Sequence, residues 1–327
     1  MTNMVFDAHS DIWSDVTVKF MRGESDIFRK YHYQRLQKGG IEGSILAMWI
    51  DPPYDKDPVL RLRQIMEAVK AETACCGDIL QIVHDYEEMK EAKEKGLFYA
   101  FIGCEGLSGI GEDIEKIDML YEFGVRCVSL TWNEQNALAA GARADTESGL
   151  TALGVQALHK IQDKHMLFDV SHLNDKSFWD VMRHATGPVV ATHSDSRSLC
   201  PAPRNLTDEM IKEIVQTGGM TGINAYPDFV SSRKEEKTVD MLAKHIEHIA
   251  DIAGIEHVGF GFDFCEFLEE EAAASFGTDE ETEGLYGLKD ASETPNVLWA
   301  MQKIGFTKAD IEKVSYQNWH QIIRKVI

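Results

Sequence analysis

The sequence predicts an α/β fold, a (β/α)8 TIM-type barrel, on three observations. Short apolar runs rich in β-branched and aromatic residues recur eight times along the chain, and the stretches between them carry helical periodicity. No linker, low-complexity tract or repeated block interrupts the alternation, so residues 1–327 are expected to form one domain. The same alternation permits an open doubly wound sheet. Eight strands without a boundary, in a chain longer than the roughly 250 residues typical of the barrel, favour closure.

The eight runs are residues 4–8, 43–50, 98–104, 125–131, 166–170, 188–192, 219–224 and 257–262. Amphipathic helices are expected at 58–75, 113–123, 152–164, 175–184, 208–217 and 238–253, several opened by Asp, Ser or Thr and closed near Gly. A final helix is expected over 318–327. Residues 266–283 carry eight acidic side chains and no Lys or Arg, which reads as a solvated loop or short exposed helix on the rim after the last strand.

Thirty-three basic against fifty-four acidic residues leave a formal charge of −21, which repels phosphate backbones and anionic lipid. Neither nucleic acid nor membrane is an expected partner. No apolar run reaches the roughly 18 residues of a spanning helix, and neither a charged-then-apolar leader nor an apolar anchor tail is evident, so a cytoplasmic protein is expected. The six cysteines show no C-x-x-C spacing and are expected to be reduced.

Metal-competent side chains gather where these runs end, as they do at the catalytic face of barrel enzymes. The first run ends F-D-A-H-S-D: strand alternation points His9 and Asp11 the same way, so that both can grip one ion. The third ends G-C-E-G, delivering Glu105, a carboxylate costly to bury unless it is compensated by cations. The fifth and sixth deliver His172 and His193. Each histidine alone reads as structural, but three histidines and two carboxylates at four strand ends suit zinc or a similar divalent ion. Asp263 ends the eighth run, V-G-F-G-F-D-F, where a carboxylate facing a nucleophilic water can take and return a proton. His245 and His248 are expected on a solvated helix face. No H-E-x-x-H, G-x-S-x-G, Walker loop or dinucleotide G-x-G-x-x-G is present.

The ordered motifs F-D-A-H-S-D, G-C-E-G, D-V-S-H, A-T-H-S with P-R-N-L-T-D, and V-G-F-G-F-D-F resemble the renal (membrane) dipeptidase family of zinc peptidases through almost the whole chain. The resemblance implies a metal-dependent hydrolase barrel with two zinc ions. His9, Asp11 and Glu105 would hold one ion, and Glu105, His172 and His193 the other, with Glu105 as bridge. It implies a small peptide substrate, whose terminal carboxylate Arg204 and Tyr226 would contact, and a homodimer. Family members often accept a D-residue at that end, a preference left open here. One departure is Trp132, which stands where some members have a histidine, leaving Asn133 or the metals to stabilise the oxyanion. The same activated water would also attack another amide, a lactone or a phosphoester. A barrel kept only for binding or metal storage has no need of Asp263.

Overall fold

The computed structural model describes residues 4–275 and 284–327. All eight expected runs form parallel strands: β1 (Val5–Ser10), β2 (Ile41–Trp49), β4 (Phe98–Glu105), β5 (Val125–Ser129), β6 (Leu167–Asp169), β7 (Val189–Val190), β8 (Thr221–Ile223) and β9 (Val258–Phe260). The short β3 (Leu80–Ile82), which periodicity over three residues is too brief to reveal, pairs with β4 outside the ring. The hydrogen-bonded order is β7-β6-β5-β4-β2-β1-β9-β8, and a parallel bridge between Ala191 and Thr221 joins β7 to β8. With helices between strands, this is the (β/α)8 barrel.

Close approach at that seam depends on glycine. A Cβ on Gly222 would lie 2.0 Å from the Thr192 carbonyl oxygen, and one on Gly261 would lie 1.8 Å from the same atom. The strand that carries His193 can therefore sit against the segment that carries Asp263.

The lower interior of the ring is apolar. Phe6, Ile45, Tyr99, Phe101, Leu167 and Val190, from five strands spread around the ring, meet in one buried cluster, as the inside of a closed sheet allows. Trp319, on the last helix (Asn318–Val326), packs into that cluster and donates its indole N–H to the Phe260 carbonyl at 2.9 Å. Removing such a side chain costs about 3–5 kcal/mol.

Helix starts follow the expected chemistry. Asp57, Thr151, Asn174, Thr207 and Thr238 each accept a backbone N–H at the head of a helix. The expected helix at 113–123 is shorter, Lys116–Phe123, because the residues before it form turns.

The acidic segment departs from a purely solvated reading. Glu266 meets Arg35 at 2.5 Å, and Glu269 pairs with Arg22, so its first part is tied to the outer face of the first βα unit. Glu270–Ala274 form a short helix whose Ala272 and Ala273 are buried. The acidic positions 279–283 lie outside the described residues.

Candidate metal centre

Each strand delivers its polar side chain at the same end of the barrel. β1 carries one extra residue opposite β2, since Asp7 pairs with Ser44 and Ser10 with Leu46. Such a bulge re-aims the strand's tail. Ala8 stays in the apolar cluster while His9 reaches the mouth. Glu105 closes β4, and Gly106 follows at φ 78°, a turn that glycine adopts without a Cβ penalty. His172 and Asp263 take φ values of 70° and 58° themselves. Non-glycine residues in that region cost of order 1–3 kcal/mol and concentrate at functional sites.

Oε1 of Glu105 stands at the centre, 2.8 Å from His172 Nε2, 3.4 Å from His193 Nε2 and 3.6 Å from His9 Nε2. His9 Nε2 also lies 3.7 Å from Asp11 Oδ1 and 3.8 Å from Asp263 Oδ1. All six side chains are buried. Two overlapping groups, His9 with Glu105 and His193, and His9 with Asp11 and Asp263, have donor atoms close enough to share an ion. Asp263 thus stands within ligating reach as well as within reach of a substrate.

The electrostatics are those of a dry, acidic cluster. Burial raises Glu105 well above the ordinary carboxylate range, and Asp11 and Asp263 add to it while His9 and Arg204 pull the other way. Burial likewise pushes Asp263 up to about 6, with Asp11 adding and His9, Asn224 and Arg204 opposing. For His9, burial works downward but the Glu105, Asp11 and Asp263 carboxylates outweigh it, raising the ring to about 10. Burial, with the positive charges nearby, holds His172 and His193 well below the usual histidine range.

The donors fit a divalent metal. His9 Nε2, His193 Nε2, Asp11 Oδ1 and Glu105 Oε2 are buried and have no hydrogen-bond partner among the described residues. Four such atoms in one place would be costly unless a cation satisfied them. Imidazole nitrogen with carboxylate oxygen is a zinc-type donor set.

The family model for membrane dipeptidases (peptidase family M19) matches residues 1–327. The chain belongs to the membrane dipeptidase family. It is accordingly a metallo-dipeptidase, a hydrolase of peptide bonds. An uncharacterized protein from the pqqA 5′ region of Klebsiella pneumoniae is 31% identical over 283 residues, covering 83% of this chain and 97% of that protein. Dipeptidase tcpJ of Claviceps purpurea is 26% identical over 252 residues, covering 76% of this chain and 56% of that protein. The fold is shared with a metallo peptidase from Rhodobacter sphaeroides, solved with a phosphinate mimic of the dipeptide L-Ala-D-Ala; its TM-score is 0.86 at 20% identity, with 100% of each chain covered. Despite the family's name, no helix among the described residues is long and apolar enough to cross a membrane.

The other two candidates of this dipeptidase sit on the rim. Arg204 is buried and donates to the His193 carbonyl at 3.2 Å and to Ser194 Oγ at 3.5 Å; its Nε has no partner among the described residues. Tyr226, also buried, lines a small cavity together with Asp263.

Several supporting residues escaped the sequence reading. Asn133, a candidate oxyanion donor there, also accepts at Oδ1 from His172 Nδ1 at 3.0 Å, which turns Nε2 of that ring toward Glu105. Thr192 sits 2.7 Å from His193 Nδ1 and donates to Asp169 at 2.5 Å, so Asp169 orients His193 through a hydroxyl. Asn224 donates to Asp263 Oδ2 at 3.0 Å and accepts the Tyr226 N–H at 2.6 Å. The available signal was position: Asp169, Thr192 and Asn224 are polar residues inside or beside otherwise apolar runs.

The expectation for the helix Val239–Ala253 needs correction. His245 is fully buried and uses both ring nitrogens, accepting the Ser196 N–H at 3.1 Å and donating to the Val230 carbonyl at 2.9 Å. His248 is partly buried and lies 3.0 Å from Asp208. The helix packs the His245 side against the core, with Leu242, Ile246 and Ile249.

Proposed function

We propose that the whole chain acts as one catalytic domain that hydrolyses dipeptides at a pair of zinc ions. His9, Asp11 and Glu105 would hold one ion and Glu105, His172 and His193 the other. The observation that carries this reading is the convergence of four unpartnered buried donor atoms around Glu105. When bound, the ions supply charge that lowers a water's pKa toward about 7 and polarises the scissile carbonyl.

The chain's own groups do the rest. Asp263, its Oδ2 held by Asn224, accepts the nucleophile's proton and returns it to the departing amine. Arg204 and Tyr226 hold the substrate's C-terminal carboxylate, and the guanidinium fork is matched to that anion. Among the described residues Arg204 has no carboxylate within ion-pair distance, which leaves its charge available. Extending the peptide removes the anion, which accounts for a preference for dipeptides, including those with a D-residue at that end. A cytoplasmic homodimer is the setting this reading adopts.

The test uses zinc-reconstituted protein with unblocked dipeptides, the same dipeptides as C-terminal amides, and a panel of lactones and phosphotriesters. Free dipeptides should be turned over and their amides lost. Equal turnover of the amides would remove the roles given to Arg204 and Tyr226, and preference for lactones or phosphotriesters would replace the reaction class.

A further inference from the structure

We infer that the cavity beside Glu105 receives the side chain of the substrate's amino-terminal residue and selects a positively charged one, making lysyl and arginyl dipeptides the preferred class. This rests on the dipeptidase reading above and adds a side-chain preference to it. The cavity holds about 150 Å³ and is bounded by Trp49, Pro52 and Trp132, with Glu105 at its inner end and the exposed Asp55 and Glu134 at its mouth.

Its place in the ring fixes which end of the substrate enters. In the strand order, β7 lies opposite β2, and β8 lies opposite β4. Arg204 and Tyr226 follow β7 and β8, whereas Trp49 and Glu105 end β2 and β4. A dipeptide whose carboxylate is held at Arg204 crosses the metal centre, and its amino-terminal residue arrives at the cavity on the far side.

The lining then defines the side chain. Trp132, packed on the buried Trp49 with ring centroids 5.2 Å apart, is partly exposed and offers aromatic surface to an aliphatic stem and to a cation. Glu134 is steadied by the Ser108 hydroxyl at 2.6 Å. No Lys or Arg lines the cavity among the described residues, so an acidic side chain would meet Asp55 and Glu134 at the mouth with no counter-charge from the lining. The substrate's α-ammonium stays one carbon from the scissile carbonyl, near Glu105. Only a long side chain reaches Asp55 and Glu134.

The experiment measures kcat/KM of the zinc-loaded full-length protein for Lys-Ala, norleucyl-Ala and Glu-Ala, the second having the stem of lysine without its charge. Lys-Ala should exceed norleucyl-Ala by about tenfold, the sum of a cation–π contact and two exposed carboxylates. Glu-Ala should be the poorest. In the double variant Asp55→Asn, Glu134→Gln the ratio of Lys-Ala to norleucyl-Ala should fall to near one. A wild-type ratio of one or less, or a ratio unmoved in the double variant, overturns the side-chain preference while leaving the dipeptidase reading intact. Loss of all three substrates overturns both.

Discussion

The barrel mouth and the helix Val239–Ala253 both bury histidines, and the two regions treat them in opposite ways. His245 spends one nitrogen on a backbone N–H and the other on a carbonyl, so its ring is complete within the protein. His193 spends only Nδ1, on Thr192, and leaves Nε2 bare beside Glu105. A buried ring with both nitrogens satisfied is structural. One held by a single nitrogen and aimed at carboxylates is built to bind something else.

The contrast breaks most sharply at Asp263. Asp263→Asn should keep metal content while lowering kcat by about 10²- to 10⁴-fold, the usual worth of a positioned proton carrier; near-normal turnover with full metal would strip the residue of that role. His172→Ala should cost at least one zinc per chain by elemental analysis, and an unchanged stoichiometry would exclude it from the ligand set. Asn133→Ala removes only the group that fixes the His172 ring. Metal affinity should fall about 10- to 100-fold, with the fold intact by circular dichroism.

The smallest effect falls on the helix. His245→Phe keeps the ring volume but strands the Ser196 N–H and the Val230 carbonyl, and should cost about 2 kcal/mol at pH 7 with metal content unchanged. Burial, helped by His248, lowers His245 from the ordinary 6.5 to about 4. Between those values the unfolded chain holds a proton that the folded chain does not, so acidification favours unfolding. The wild type should lose about 3 kcal/mol relative to His245→Phe as pH falls from 6.5 to 4. Urea titrations of both proteins across that range give the comparison, and parallel curves would show that His245 titrates normally in the fold.

Much of the scaffold could be read in advance because each element announces itself locally. The eight barrel strands are apolar runs, and Thr151, Thr207 and Thr238 mark helix starts by a hydroxyl placed before a periodic stretch. The helix Ile12–Met21 hides because its polar Ser14, Asp15 and Thr17 are buried along with the apolar residues around them, so polarity does not mark an exposed face. The roles of Asn133, Thr192 and Asp169 hide for another reason: each depends on which ring lies across the barrel, and that is set by strand order. The pairing of Glu266 with Arg35 joins residues 231 positions apart and leaves no local trace.

Ring closure has a consequence for biosynthesis. Asp7 of the first strand accepts the Phe262 N–H, 255 positions later, and the last helix supplies the Trp319 plug. A nascent chain therefore shows the ribosome-bound cell a His9 and a Glu105 long before their partners exist. The five candidate donors are all present by His193, but the ring that holds them together closes only after the last strand and helix are made, so metal acquisition should lag behind synthesis of the donors.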